Sequence, residues 1–406
     1  MLGQWPTETF GELCTIFNGN SIPAKVKKEK YTIVQDGIPY IGTKDVGFDT
    51  TISYQTGVVI PSEDFASFRL APANCTFVCA EGGSAGRKIG FTQKEVFFGN
   101  KLYAIVPEPN MDSKFIFYYC LSDSFQEQFK SRMSGMIGGV NQKKFKTIEI
   151  PVPPLDEQKR IVSILDQAFN KLAKKSERIE QQILSIDNLF DGVLDSEYAN
   201  QSEWNLATLD EIIESTFYGP RFAKDAYTPD GVVSLRTTDM GDDGLFEFKD
   251  PPRIPLDAKQ LEKYRLIDGD ILIARSGSVG KCAIYTEDLG EAMPSAYLIR
   301  MRLKKDLVHP RFVLRYLLSR TGQRHLIGHS TSSTMANINS KNLRNIPFSF
   351  PSLAEQMRII EKLDGLHYES KTLKQTYHSG LNNLVELKQS ILQEAFTGKL
   401  TGGTTA

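Results

Sequence analysis

Pro153-Pro154-Leu155-Asp156-Glu157-Gln158-Lys159-Arg160-Ile161 returns, little altered, as Pro351-Ser352-Leu353-Ala354-Glu355-Gln356-Met357-Arg358-Ile359. Working outward, other matches keep the same order. Trp5 and Trp204 each open a similar segment. Gly37–Gly47 (GIPYIGTKDVG) matches Gly231–Gly241 (GVVSLRTTDMG). Gly83-Ser84-Ala85-Gly86-Arg87 matches Gly277-Ser278-Val279-Gly280-Lys281. Lys114–Ser122 matches Arg311–Ser319, and Asn141-Gln142-Lys143 matches Asn339-Ser340-Lys341. The offsets all fall between about 194 and 199 residues. Solenoid repeats run roughly 20–50 residues, so this is a duplicated domain instead. Pseudo-two-fold symmetry is expected.

Each copy has two parts. The first reads as mixed strands and turns, with apolar β-prone runs at Leu70–Ala80 and Leu266–Arg275 entering glycine loops. Phe115–Phe129 and Arg311–His325 read as helices. The second part opens on prolines, which lack an N–H and hold the preceding residue extended. A long helix then spans about Asp156 to Asp195. Its apolar positions are Ile161, Leu165, Ala168, Leu172, Ile179, Ile183, Ile186, Phe190 and Val193, at steps of three and four with a stutter near Ser176. The second stripe is Ile359, Leu363, Leu366, Leu373, Tyr377, Leu381, Leu384 and Ile391. Neither helix can bury its stripe alone, so the two should pair. The fold class is α+β. Its expected parts are residues 1–150, a first mixed domain; 151–200, a first helix; 201–350, a second mixed domain; and 351–406, a second helix.

The chain has 406 residues, 40% hydrophobic and 24% charged, which suits ordinary packed cores. No apolar run approaches the ~18–20 residues of a membrane span, and Met1–Phe10 has no signal-peptide pattern. Cys14, Cys75, Cys79, Cys120 and Cys282 lack zinc-like spacing. Reduced thiols in a cytoplasmic protein are the simplest expectation.

Net charge is −1, but its distribution is uneven. No acidic residue lies between Glu127 and Glu149, where Lys130, Arg132, Lys143, Lys144 and Lys146 occur. None lies between Asp306 and Glu355, where Arg311, Arg315, Arg320, Arg324, Lys341 and Arg344 occur. Such a local excess suits phosphate neutralisation, whereas arginine stems packed on solvated helices would look the same. The glycine loops are a second candidate contact with DNA, through Arg87, Lys88, Arg275, Ser278 and Lys281. Glycine permits close backbone approach, and Arg or Lys can bond guanine edges; a tight hairpin is the plainer alternative. Thr43, Lys44, Arg236 and Thr237 form a third candidate, beside aspartates (Asp45, Asp239) expected to cap turns.

Catalytic patterns are thin. His325 and His329 stand four apart without an evident third metal ligand. Asp250-Pro251-Pro252 lacks the aromatic that would stack on a flipped base. The Walker phosphate loop does not fit at Arg275–Cys282. Asp230, Glu247 and Lys249 have the spacing of a magnesium-dependent nuclease site, but Thr228-Pro229-Asp230-Gly231 reads as a turn.

Two β-rich halves, each followed by prolines, Leu-x-Glu-Gln-x-Arg-Ile and a long helix, with a tail ending Gly398-Lys399-Leu400, resemble the specificity subunit of type I restriction-modification systems along the whole chain. The resemblance implies two pseudo-symmetric target recognition domains joined by two long antiparallel helices forming a coiled coil. Each domain would read one half of a split, asymmetric double-stranded DNA site. The helices would set the spacer and dock two methylation subunits, with Leu155, Ile164, Leu184, Leu353 and Leu387 as candidate docking positions. Restriction subunits would join that core. The chain itself would be no enzyme and hold no cofactor; S-adenosylmethionine, ATP and magnesium would be used by the partners. A duplicated protein-binding scaffold, or the nuclease just described, remains the alternative.

Overall fold

The computed structural model describes residues 5–135, 138–199, 203–222, 227–248, 250–328 and 338–401. Two compact units divide the chain: residues 1–179 with 379–406, and residues 180–378.

In the first unit the strands are β1 (Thr7–Thr9), β2 (Cys14–Asn18), β3 (Ile38–Ile41), β4 (Val59–Ile60), β5 (Leu70–Ala71), β6 (Thr76–Cys79), β7 (Ile89–Phe91), β8 (Val96–Phe98), β9 (Leu102–Pro107) and β10 (Glu149–Pro151). They form sheets ordered β2-β9-β6-β7 and β4-β3-β8-β5, and an antiparallel pair β1-β10. In the second unit they are β11 (Asn205–Thr208), β12 (Ile213–Tyr218), β13 (Val232–Leu235), β14 (Arg253–Ile254), β15 (Ile271–Ala274), β16 (Cys282–Ile284), β17 (Ala292–Pro294), β18 (Leu298–Leu303) and β19 (Pro347–Phe350). Their orders are β12-β18-β15-β16, β14-β13-β17 and β11-β19. The duplication extends to strand direction: β3 pairs with β8, and β13 with β17, in parallel.

The longer helices are α1 (Ser113–Cys120), α2 (Asp123–Arg132), α3 (Leu155–Ala199), α4 (Pro310–Leu318), α5 (Arg320–Gly328) and α6 (Leu353–Phe396). Phe115–Phe129 and Arg311–His325, each expected to be one helix, are therefore each two. Serine makes the break: Ser122 accepts from Phe125 N, Ser319 accepts from Gly322 N, and both hydroxyls bond back to the helix just ended.

The repeated Glu-Gln motif has a structural reason. Gln158 is fully buried; its Nε2 donates to Pro153 O at 2.9 Å, and its Oε1 accepts from Asp112 N at 2.8 Å. Gln356 repeats this with Pro351 O at 2.9 Å and His309 N at 2.8 Å. One side chain thus ties the proline turn to the module in front of it. About two turns further along, Asp166 receives Lys114 at 2.7 Å and the Tyr118 hydroxyl, and Asp364 receives Arg315 at 2.7 Å and Arg311 at 3.2 Å.

Helices α3 and α6 are 45 and 44 residues long, each roughly 65 Å at 1.5 Å per residue. In each unit their segments run antiparallel. In the first, Leu165 and Leu392 share a core, Phe169 lies under Lys388, and Ile179 faces Gly380. In the second, Asp187 pairs with Lys374 at 2.6 Å, Phe190 meets His367, and Glu197 pairs with Lys362. Helix α3 continues through the expected stutter, with half-buried Ser176 filling the seam. Leu373 departs from expectation: it is 45% exposed, because the seam at that turn passes through Ser370 and Lys374.

The end of each long helix closes a module. Leu392, Ala395 and Phe396 pack with Phe115 and Tyr119, and Leu194 and Tyr198 pack with Phe312 and Trp204. The tail motif caps α6: Gly398 sits at φ 77°, which lets Lys399 N and Leu400 N reach Glu394 O, with Gly398 against the Trp5 ring and Leu400 packed on the same core. All five cysteines are free and buried, and burial pushes the Cys14 and Cys75 thiols up to about 12. Among the described residues no helix is long and apolar enough to cross a membrane.

Candidate nucleic-acid interface

Both glycine loops are the turns of antiparallel hairpins, β6–β7 and β15–β16. The plain structural expectation and the cation-bearing one therefore coexist. Left-handed glycines shape them: Gly82 and Gly86 in the first, Gly277 and Gly280 in the second. A glutamine on the following helix anchors each loop. Gln126 Nε2 donates to Gly86 O, and Gln323 Nε2 donates to Gly280 O, both at 2.9 Å.

The first unit brings two of the candidate groups together. Lys88 Nζ donates to Thr43 O at 2.9 Å, so its loop lies against the Thr43-Lys44-Asp45 turn. Asp45 caps that turn through Gly42 N. Arg87 and Lys88 both lie over Phe48, at 5.0 and 5.1 Å from the ring centroid, and Phe48 is 60% exposed. Among the described residues neither cation pairs with a carboxylate. Lys44 lies a marginal 4.0 Å from Asp45. Lys143 and Lys144 sit on a short helical turn, Gln142–Phe145, capped by Asn141, and Lys146 follows it. Arg132 is turned inward, with Nη2 donating to Thr147 O at 2.9 Å.

In the second unit most candidate cations are already paired. Arg236 clasps the buried Asp239 through two bonds, 3.0 Å from Nε and 2.8 Å from Nη2. Thr237 opens the turn that Asp239 caps. Lys281 pairs with Asp242 at 2.9 Å, and Arg344 with Asp210 at 2.6 Å. Arg275 instead lies over the Tyr218 ring, 4.5 Å from its centroid. Lys341 and Ser278 are exposed on a helical turn and a loop. The aromatic partners Phe48 and Tyr218 were missed in the sequence. Their signal was there: Phe48 follows the repeated Gly47 directly, an apolar residue at a turn.

The same turn carries a carboxylate near a cation of a long helix in each unit, and in the second it forms ion pairs there. Lys388 helps hold the Asp49 carboxyl below its ordinary range, after hydrogen bonds from Thr51. Asp243, at the matching position, is held well below that range by His367 first, then by Leu245 N and Lys371.

The candidate docking leucines divide by exposure. Leu184, Leu353 and Leu387 are exposed, whereas Leu155 and Ile164 are half-buried. An apolar hollow of about 220 Å³ lies along the helix pair, lined by Leu189, Val193, Leu366 and Leu373 among others.

The supposed nuclease residues stand apart from these features. Thr228 Oγ1 accepts from Asp230 N, making the expected turn, and Asp230 and Glu247 are both exposed. Lys249 and His329 lie outside the described residues. Asp250-Pro251-Pro252 leads into β14, with Asp250 O accepting from Arg236.

The family model described as "Type I restriction modification DNA specificity domain" matches residues 3–184 and 201–381. The chain is similar to the StySPI specificity subunit of Salmonella potsdam, at 25% identity over 98% of this chain and 89% of that one. It is similar to the EcoKI specificity subunit of Escherichia coli strain K12, at 26% identity over 79% and 72%. Among solved structures, a chain from a study of complex assembly and conformational transition of the type I R-M system aligns with a TM-score of 0.76, at 19% identity, over 98% of this chain and 100% of that one. The HsdS subunit from Thermoanaerobacter tengcongensis aligns at 0.55, with 20% identity, over 98% and 97%.

Proposed function

Because the chain belongs to the type I restriction-modification specificity family, we propose that its two modules read the two halves of a split DNA site, and that α3 and α6 set the distance between them. The observation that carries this is duplication with divergence. Two modules share strand order, glycine-loop anchors and helix attachments, yet carry different side chains on their loops. A homodimeric reader suits palindromes. A fused dimer with diverged halves suits an asymmetric site.

Exposed loop cations and the lysines of residues 143–146 supply phosphate contacts, and the glycine-loop residues supply base contacts. Methylation subunits cover the exposed leucines of the helix pair, two to each specificity subunit, and restriction subunits join them. Methyl transfer from S-adenosylmethionine and ATP- and magnesium-dependent cleavage belong to those partners; this chain is the non-catalytic reader, working in the cytoplasm. A protein-binding scaffold and a nuclease built on Asp230 and Glu247 are not favoured beside the family match.

The test is a map of methylated sites in cells. Exchanging residues 1–150 for another recognition module should replace one half-sequence and leave the other intact. Adding four residues at Ser176, matched by four in the facing segment near Asn383, should keep both halves and lengthen the spacer. The helix gains about 6 Å, against 3.4 Å per base pair along each strand, so one to two base pairs are expected. If the exchange altered both halves, or the insertion changed the bases read, modular reading would be wrong.

A further inference from the structure

Arg275 differs from its neighbours in how it is held. It follows β15, and its backbone is pinned on both sides: its N donates to Tyr297 O at 3.0 Å, and its O accepts from Ile338 N at 3.1 Å. Its guanidinium lies 4.5 Å from the centroid of the Tyr218 ring. That ring is fixed in turn, because its hydroxyl accepts from Ser340 N at 2.8 Å. Among the described residues the guanidinium has no carboxylate partner, whereas Arg236, Lys281 and Arg344 each have one. The loop it enters is open: a side chain at Gly277 would meet nothing within 4 Å.

The first unit has nothing similar at this place. Cys79 N bonds Lys88 O as Ala274 N bonds Lys281 O, so Ala80 occupies the position of Arg275. By the same strand registers Asn18 stands where Tyr218 does. The result is a hollow of about 480 Å³, lined by Asn18, Ala80, Asn100, Tyr103 and Asn141 among others.

Building on the function proposed above, we propose that Arg275 is a specificity-determining residue of the second module and reads a guanine. A guanidinium carries a planar fork of donors that matches guanine O6 and N7. Reading a base edge requires that plane to be oriented in advance, and the Tyr218 face supplies the orientation. A phosphate contact has no such requirement, and Lys341, exposed and unpaired among the described residues, is suited to it. The paired cations must first leave a carboxylate, which makes them poorer readers.

The experiment maps methylated sites, and measures binding to specific and random duplexes, for the specificity subunit assembled with its methylation subunits. Four variants are compared: Arg275→Ala, Arg275→Lys, Tyr218→Leu and Lys341→Ala. The wild-type second half-site should contain a guanine. Arg275→Ala should make that one position degenerate and lower specific binding roughly 10- to 100-fold, the loss of one bidentate contact. Tyr218→Leu should weaken the same preference, and Arg275→Lys should fall between. Lys341→Ala should weaken specific and random binding alike. Continued reading of the other positions of the second half-site shows that the second module of each variant is folded. A second half-site without guanine, or an Arg275→Ala variant that keeps every base preference or weakens both duplexes equally, overturns the assignment. If the wild type reads no split site at all, the proposed function fails first; if it does and Arg275→Ala changes nothing, only this assignment fails.

Discussion

The two recognition modules agree where they are internally bonded and differ where they meet solvent. Gln126 and Gln323 hold their glycine loops with the same bond. Gln158 and Gln356 tie the same turn, and Asp166 and Asp364 receive cations from the same helix face. On the loops the equivalence ends. Phe48, with two cations over it, stands where the second module has Asp242, which neutralises Lys281. Ala80 stands where Arg275 does. The shared glutamines satisfy backbone groups inside the fold and cannot change without leaving them unpaired, and the shared aspartates hold the cations of the preceding helix. The loop residues have no such obligation, so a duplicated domain can acquire a second sequence preference there without losing its fold.

The largest stability effect should come from the shared set. Gln158→Ala and Gln356→Ala each leave two or more buried backbone groups unpaired. Each should cost about 3 kcal/mol, measured by denaturant unfolding. Near-equal losses would confirm that the modules are attached alike, whereas a loss confined to one would break the comparison.

A smaller and unequal effect is expected at the helix attachments. Asp243 has His367 and Lys371 against it, whereas among the described residues Asp49 makes no ion pair and feels the more distant Lys388. Asp243→Asn should cost about 1–3 kcal/mol, and Asp49→Asn less. The sign with pH follows from the depressed folded-state values of both carboxyls. Their stabilisation is complete above the ordinary carboxylate range and is lost as pH falls through the lower folded-state value. Acid unfolding of the Asp243→Asn variant should therefore begin from lower stability and show a shallower pH dependence.

The smallest effect sharpens the loop comparison. Asp242 is almost fully exposed, and its pair with Lys281 contributes little to stability. Asp242→Asn should free Lys281, tighten binding to random duplex and steepen the salt slope by about one. An unchanged slope would mean that Lys281 does not approach a phosphate.

Much of this architecture was legible in the chain. Repetition of Pro153–Ile161 at Pro351–Ile359, with the apolar stripes that follow, implied two modules and two paired helices. Periodicity reports which face a helix buries, whatever covers it. The stripe failed only at Leu373, where the antiparallel partner brings Asp187 to Lys374 and moves the seam. The serine breaks after α1 and α4 were also hidden, because a capping hydroxyl reads as an ordinary polar residue until the chain turns there. Charge windows marked where cations concentrate but not which are available. Arg236, Lys281, Arg344 and Arg275 look alike in sequence. Arg236 is held by Asp239 three residues on, but only the fold places Asp242 against Lys281, Asp210 against Arg344 and Tyr218 beneath Arg275. Those three partners come from a turn, a helix and a strand that local pattern cannot bring together. The sequence by itself therefore determined the duplication, the helices and the regions of contact, because these follow from local periodicity and composition. Tertiary structure decided which of the other cations are committed and which are poised, because beyond the local Arg236–Asp239 pair these contacts join residues far apart in the chain.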